Sequence, residues 1–182
     1  MPIVLASASP RRRELLAGAG VVFEVIHSPA EEVHDATLQP DVLCELNAVL
    51  KAGAVARIRP DATVIGADTL VFIDDMPLGK PRDLNEARGM LRLLSGRPHQ
   101  VCTGVCIVHP GGEKCVFHDF TEVTFCSLND TMIEEYLGLV NPLDKAGGYG
   151  IQEHGERIIA QIQGSFENVM GLPVAKLIAA LG

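Results

Sequence analysis

Short β-branched runs and stretches of helical periodicity alternate along the first part of the chain. The apolar run Ile3–Leu5 is followed by residues 7–10, SASP, whose residue types begin helices. Gly18 and Gly20 end that helix, and residues 21–26 form the next extended apolar run. The pattern therefore predicts a strand, a loop, a helix and a second strand.

A longer segment, residues 40–57, has apolar residues that recur three and four positions apart. This period predicts one long helix, with Lys51 on its surface or pointing into a cleft. Residues 63–73 are rich in Val, Ile and Thr and predict a strand. Gly66 and Asp68 lie in the middle of that strand, where an ordinary buried strand carries neither residue type.

The second half of the chain continues this alternation and adds two long extended runs separated by Pro110-Gly111-Gly112, which predict a β-hairpin. The fold class is therefore α/β, with a mixed twisted sheet, flanking helices and a long β-hairpin, and any two lobes are interleaved along the chain. We predict strands at 99–108, 115–125 and 157–162, helices at 85–94, 130–140 and 173–181, turns at 74–75 and 79–81, and a glycine-rich loop at 144–152.

Composition narrows the class of protein. A length of 182 residues with 47% hydrophobic residues suits one globular domain over 1–182. The net charge of -8 argues against a surface that binds nucleic acid or anionic lipid, so any anion site is local. The five cysteines form no CxxC pair and no zinc spacing, which predicts reduced, mostly buried thiols in a reducing compartment. No window approaches about 18 uninterrupted apolar residues, so a soluble, cytoplasmic protein is expected. The six histidines show no ligand spacing and are interpreted as scattered polar residues.

The first candidate site is an anion site at the predicted strand-to-helix junction. Ser7, Ser9, Arg11 and Arg12 place hydroxyls and guanidiniums where the backbone N–H groups of a helix N-terminus favour an anion. Arginine binds phosphate oxygens bidentately, so a triphosphate or pyrophosphate group fits this segment. The alternative is a capped helix followed by solvated arginines.

The second candidate site centres on Asp68. A carboxylate inside an apolar strand is costly unless it is paired or lies at an open edge. Glu31, Glu32 and Asp68 could converge on a divalent cation such as Mg²⁺, which bridges carboxylate and phosphate oxygens. The alternative is that Asp68 caps a turn or pairs with Lys80.

Three lysines and one glutamine could complete such a site. Lys51, Lys80 and Lys145 lie near loops or helix faces that the topology could bring to one cleft, although each alone is most often a solvated charge. Gln152 follows the glycine-rich loop, and its amide has the donor and acceptor needed to pair with the edge of a base. A lone glutamine does not establish that role.

Five segments, in order along the chain, carry a resemblance to a known family. The sequence contains ASASPRRRELL, VIGADTLV, LGKPRD, NPLDKAGGYGIQ and GSFENVMGLP, and it closely resembles the Maf family of nucleoside triphosphate pyrophosphatases. The resemblance extends from residue 3 to about 180. It implies hydrolysis of a nucleoside triphosphate to the monophosphate and pyrophosphate, a divalent metal (Mg²⁺ or Mn²⁺), a homodimer, and two lobes around a cleft in the fold of the inosine triphosphate pyrophosphatases.

The resemblance also implies roles for individual residues. Asp68 matches the general base, and Glu32 with Asp68 is expected to hold the metal. Arg11, Thr69 and Gln152 stand as in the subgroup that acts on dTTP and UTP. The chain departs from the family pattern at Glu153 and His154, where a glycine is expected after Gln152. The expected substrate-binding residues are Ser7, Ser9, Arg11, Arg12, Glu32, Lys51, Thr69, Lys80 and Gln152.

Two other functions remain open at the level of sequence. The first is a nucleotide- or protein-binding regulator of septum formation without essential catalysis. The second is a pyrophosphatase for modified purine nucleotides. Both would use the same residues for binding a nucleotide.

Overall fold

The computed structural model describes all residues, 1–182, and contains one mixed sheet with helices. The strands are β1 Ile3–Leu5, β2 Glu24–Val25, β3 Thr63–Ile73, β4 Met76–Leu78, β5 Pro98–Val108, β6 Lys114–Phe125 and β7 Ile159–Gln163. The α-helices are α1 Pro10–Gly18, α2 Pro40–Ala56, α3 Leu84–Leu94, α4 Asp130–Leu137, α5 Phe166–Met170 and α6 Val174–Leu181. Single 3₁₀ turns lie at Pro142–Asp144, Ala146–Gly148 and Gly155–Arg157.

The sheet has seven strands in the order β2-β1-β3-β5-β6-β7, with β4 paired to β3. β1 is parallel to both β2 and β3, whereas the β3–β4 and β6–β7 pairs are antiparallel. The α/β class with a mixed sheet is therefore confirmed. None of the helices combines the length and the hydrophobicity of a membrane-spanning segment, and all five cysteines are free thiols.

The differences from the sequence prediction are local. The second strand is only two residues long, and the helix predicted at 130–140 ends at Leu137. Strand β4 is not predicted from the sequence, because Pro77 at its centre lacks a backbone N–H and argues against a strand. β4 nevertheless pairs with the end of β3, because Asp74 and Asp75 both adopt left-handed φ angles of 49° and 61°. Positive φ at both central residues is the geometry of a tight hairpin turn.

The chain folds into two compact units that are interleaved along the sequence, as predicted. Unit 1 comprises Met1–Thr69, Thr103–Asp119 and Gly171–Gly182, and unit 2 comprises Leu70–Cys102 and Phe120–Met170. Strands β3, β5 and β6 each contribute residues to both units.

Both faces of the sheet in unit 1 are buried. Neighbouring residues of one strand belong to two different hydrophobic clusters, one on each face of the sheet. Val4 and Val64 pack with residues of α2, whereas Leu5 and Ile65 pack with residues of α1 and α6. The period of two in a strand explains this division. Because both faces are buried, these strands are continuously apolar in sequence.

Two glycines allow the backbone of α2 to lie directly against the sheet of unit 1. A Cβ atom at Gly66 would lie 2.6 Å from the carbonyl oxygen of Ala48, and one at Gly104 would overlap the carbonyl carbon of Cys44. Both contacts are shorter than van der Waals separation and involve backbone, which cannot rotate away. The glycine that interrupts β3 is therefore required for the close approach of α2.

We expect Gly104→Ala to lower the free energy of unfolding by about 3 kcal/mol, the upper part of the usual range for overpacking, because α2 must move off the sheet. Urea unfolding followed by circular dichroism measures this change. The matched control is Gly53→Ala in α2, where a Cβ atom meets nothing within 4 Å and helix propensity favours alanine. An equal stability of the Gly104→Ala and Gly53→Ala variants would contradict the close approach.

The core of unit 2 contains an aromatic cluster that corrects one sequence prediction. His99 is buried rather than a scattered polar residue, and its ring meets Phe125 and Tyr149 edge to face. Its Nε2 atom lies 2.8 Å from the hydroxyl of Tyr149. Burial lowers the pKa of His99 to about 4, so the neutral imidazole is part of this core at neutral pH.

Candidate active site

The N-terminus of α1 in unit 1 has the capping chemistry that the SASP segment predicts. Ser9 is the N-cap residue, and its Oγ accepts a hydrogen bond from the backbone N–H of Arg12 at 3.4 Å. Pro10 occupies the first turn, and Ser7 Oγ accepts from the backbone N–H of Ser9 at 3.2 Å. No acidic side chain lies in the first turn of α1. The positive end of the helix dipole is therefore not neutralised by a carboxylate from that turn.

The side chain of Arg12 is buried, and it forms hydrogen bonds with three other segments of unit 1 rather than with solvent. Its Nε donates to the carbonyl oxygen of Gly171 at 2.7 Å, its Nη1 to Ser7 Oγ at 3.3 Å and its Nη2 to Thr69 Oγ1 at 2.9 Å. Burial lowers the pKa of the guanidinium, and the charge of Asp68 opposes that shift. The alternative of solvated arginines is therefore wrong for Arg12. Neighbouring Arg11 is half-buried, whereas Arg13 is exposed.

The carboxylate of Asp68 lies in β3 and is 4% exposed. Lys51 reaches it from α2, with Nζ 2.6 Å from Asp68 Oδ1 and 2.6 Å from Glu32 Oε1. One ammonium group thus binds two carboxylates from different segments. The partner of Asp68 is Lys51 and not Lys80, and of the two candidate glutamates Glu32 joins the cluster while Glu31 is exposed.

Asn47 is a member of this cluster that the sequence analysis missed. Its Nδ2 donates to Asp68 Oδ2 at 3.0 Å and to the carbonyl oxygen of Val33 at 3.1 Å. Its Oδ1 accepts from the backbone N–H of Val33 at 2.7 Å. The signal in the sequence is a polar residue on the apolar face of α2, one turn before Lys51. Asn47 holds the segment carrying Glu32 and the carboxylate of Asp68 at the same time.

The residues of this cluster fit a divalent cation of the Mg²⁺ type. No group of three or more His, Cys, Asp or Glu residues forms a complete protein cage anywhere in the chain. Glu32 and Asp68 nevertheless bring two hard oxygen donors to a single cation, the ammonium of Lys51. Mg²⁺ is usually held by one or two carboxylates together with substrate phosphates and water, which is compatible with these two residues.

Three of the remaining candidates, Lys80, Lys145 and Gln152, lie in unit 2. Lys80 is exposed and makes no ion pair, and Gln152 is exposed. Lys145 is only 4% exposed, so the interpretation of this lysine as a solvated charge is wrong. Its Nζ binds Asp144 and Glu153, at 2.7 Å and 3.0 Å. Thr69, the last candidate, is half-buried in unit 1, and its Oγ1 lies 2.9 Å from the hydroxyl of Thr103.

Unit 1 thus contains a capped helix N-terminus without an acidic side chain in its first turn, a buried guanidinium, and a buried carboxylate that is held by an amide and an ammonium group. Arg12 and Thr69 connect the helix terminus to the strand that carries Asp68. Such a combination can bind a phosphate group and accept a proton from a water molecule beside it. Of the predicted residues, the structure brings together Ser7, Ser9, Arg12, Glu32, Lys51, Asp68 and Thr69 in this unit.

Comparisons with known proteins find one family model and similar pyrophosphatases. The family model described as "Maf-like protein" matches residues 2–182. The dTTP/UTP pyrophosphatase of Akkermansia muciniphila is 53% identical over 180 residues, covering 99% of this chain and 95% of that protein. The dTTP/UTP pyrophosphatase of Bacillus cytotoxicus is 47% identical over 179 residues, covering 98% and 93%.

Two solved structures share the fold at low sequence identity. The Ham1 protein of Staphylococcus aureus has a TM-score of 0.56 and 15% identity, with 100% of this chain and 97% of that chain covered. A nucleoside-triphosphatase, described also as a dITP/XTP pyrophosphatase, from Mycobacterium abscessus has a TM-score of 0.50 and 18% identity, with 100% and 93% covered. At this identity the likeness concerns the fold alone.

Proposed function

This chain belongs to the Maf family, and on that basis we propose that it hydrolyses nucleoside triphosphates, dTTP and UTP foremost, to the nucleoside monophosphate and pyrophosphate. The observation that carries the proposal is the buried carboxylate of Asp68, held between Lys51 and Asn47. The family and the names of the relatives support the reaction class. The substrate preference rests on the relatives' names and on the residues Arg11, Thr69 and Gln152.

In the proposed reaction Asp68 is the general base. A water oxygen joins the α-phosphorus, the bond from that phosphorus to the α–β bridging oxygen breaks, pyrophosphate leaves with the bridging oxygen, and one proton of the water passes to the Asp68 carboxylate. Lys51 and Asn47 bind one oxygen each and so orient the carboxylate. A base that is already oriented loses little freedom when the water is bound.

The helix terminus and the arginines are proposed to bind the phosphates. Arg12 has five N–H groups and uses three of them for Gly171, Ser7 and Thr69, which leaves two for phosphate oxygens. Arg11 and the hydroxyl groups of Ser7 and Ser9 stand at the same terminus. Fixed positive charge there stabilises the negative charge that develops on the leaving pyrophosphate. Lys80 in unit 2 is given a phosphate role on the resemblance alone.

Glu32 and Asp68 would hold the divalent cation that the family resemblance implies, Mg²⁺ or Mn²⁺. When bound, such a cation neutralises phosphate charge and lowers the pKa of a coordinated water. Lys51 already places one positive charge against both carboxylates. The two side chains are therefore arranged for a cation before substrate arrives.

Four further expectations stay predictions: a homodimer, a single domain over 1–182, no nucleic-acid or membrane partner, and a cytoplasmic location. They rest on the resemblance and on the composition of the chain.

A nucleotide panel tests the proposed function. We expect dTTP and UTP to exceed GTP, ITP and 7-methyl-GTP in kcat/KM by well over tenfold, because a site that both limits size and pairs with one base edge discriminates strongly. Gln152→Ala should lower that ratio, with the loss confined to the pyrimidines. Pyrophosphate release by the pure protein with Mg²⁺ is the measurement. Gln161→Ala, an exposed glutamine in β7, is the matched control.

Three outcomes of the panel are distinct. Faster turnover of ITP, GTP or 7-methyl-GTP than of dTTP and UTP would overturn the substrate class and leave the pyrophosphatase chemistry in place. An absence of pyrophosphate release with every nucleotide would favour a binding regulator. Equal effects of the Gln152→Ala and Gln161→Ala variants would remove Gln152 from base recognition.

A further inference from the structure

Gln152 occupies an exposed position in a short turn, and its own side chain makes no hydrogen bond. The backbone N–H of Glu153 donates to the carbonyl oxygen of Gly150 at 3.2 Å, which closes a four-residue turn over 150–153. Gln152 is the third residue of that turn. Its direction therefore depends on what holds the two ends of the turn.

The first end, at Gly150, is held by Tyr136. The backbone N–H of Gly150 donates to the hydroxyl oxygen of Tyr136 at 3.1 Å, and that hydroxyl donates to the carbonyl oxygen of Gly150 at 3.4 Å. Tyr136 is fully buried in α4 and belongs to the core of unit 2. The start of the turn is thereby attached to a rigid element.

The second end, at Glu153, is held by Lys145. The Nζ atom of Lys145 lies 3.0 Å from Glu153 Oε2, and it also binds Asp144 Oδ1 and the carbonyl oxygen of Asn141, each at 2.7 Å. Lys145 is 4% exposed, so its ion pair with Glu153 is shielded from water on the lysine side. The side chain of Glu153 is 36% exposed, so water screens the pair on that side only, and the pair is stronger than one between two exposed side chains.

Gly150 permits this arrangement sterically. A Cβ atom at that position would lie 2.8 Å from Cε and 3.1 Å from Cδ of Lys145, so the lysine stem passes directly against the start of the turn. The stem of Lys145 contacts one end of the turn and its ammonium binds the other. A single buried side chain thus spans the turn that presents Gln152.

We propose that Glu153 is a specificity-positioning residue, whose ion pair with Lys145 fixes the turn so that the Gln152 amide is presented to the base of the nucleotide. The proposal rests on the proposed function, which gives Gln152 its role. Lys145 keeps Asp144 and Asn141 when Glu153 is removed, so the tether can be lost without leaving a buried ammonium unpaired.

The test compares Glu153→Ala and Glu153→Gln with the unaltered enzyme. We expect Glu153→Ala to lower the kcat/KM ratio of dTTP to GTP at least about threefold, mainly through a higher KM for dTTP, because a misplaced amide loses binding to one base edge. Glu153→Gln keeps an oxygen acceptor for Lys145 and should recover part of the ratio. Glu156→Ala, a nearby glutamate that is exposed, is the matched control.

Melting temperatures of the variants separate positioning from stability. The expected result is a changed nucleotide ratio at an unchanged melting temperature. An equal fall in kcat/KM for dTTP and GTP, or an unchanged ratio in Glu153→Ala, would overturn the role of Glu153 while the unaltered enzyme still prefers dTTP and UTP. If the unaltered enzyme shows no such preference, the proposed function itself fails, and that result is visible before any variant is compared.

Discussion

Asp68→Asn is expected to lower kcat at least about 100-fold while the protein stays folded, because an amide cannot accept the proton of the attacking water. The side chain keeps its size, so the packing of β3 is preserved. The two carboxylate oxygens of Asp68 accept hydrogen bonds from Lys51 and from Asn47. An asparagine side chain has a single acceptor oxygen, so the variant keeps only one of these two contacts. Initial rates of pyrophosphate release from dTTP, with circular dichroism to verify folding, measure the effect.

The control for this variant is Asp61→Asn. Asp61 is an exposed carboxylate of the same unit, and its partner is Arg59. Its replacement should leave kcat unchanged. Retention of more than about a tenth of normal turnover by the Asp68→Asn variant would remove Asp68 from the role of general base.

Lys51→Met should weaken both stability and activity, because it leaves Asp68 and Glu32 facing each other without a cation. Removing one partner of a buried ion pair lowers the free energy of unfolding by about 3 kcal/mol at the lower end of the usual range. We expect that lower value here, because Glu32 is one-third exposed. Turnover should fall together with stability, since Asp68 loses the group that binds Oδ1. Urea unfolding and initial rates of pyrophosphate release are the measurements.

A second substitution makes the Lys51 prediction specific. Glu32→Gln in the Lys51→Met background removes one of the two like charges, so it should restore part of the lost stability without restoring turnover. Lys114→Met replaces an exposed lysine in β6 and is the matched control. A Lys51→Met variant as stable as the Lys114→Met variant would show that the ion pairs of Lys51 contribute nothing to the fold.

Local sequence determined much of the fold and part of the site. The SASP segment predicted the capped start of α1, because capping involves residues that are neighbours in sequence. Helical periodicity predicted α2, and the abundance of Val, Ile and Thr predicted β3, each within a residue of its observed ends. Asp68 was identified because a carboxylate inside an apolar strand is costly to bury. That feature can be seen in the sequence without knowing which residue pairs with the carboxylate. The resemblance, carried by five ordered segments, supplied the family.

The partners of these residues were decided only in three dimensions. How distant segments pack decides which residues meet in the site. It brings Glu32 rather than Glu31 to Lys51, and it places the amide of Asn47 beside Asp68. It also joins Arg12 to Gly171, which is 159 positions away in the sequence. The depth at which α2 lies on the sheet is set by Gly66 and Gly104, and a shift of the helix would separate Lys51 from Asp68. Sequence patterns encode the local direction of a side chain, whereas burial and charge pairing arise when elements from different parts of the chain come together.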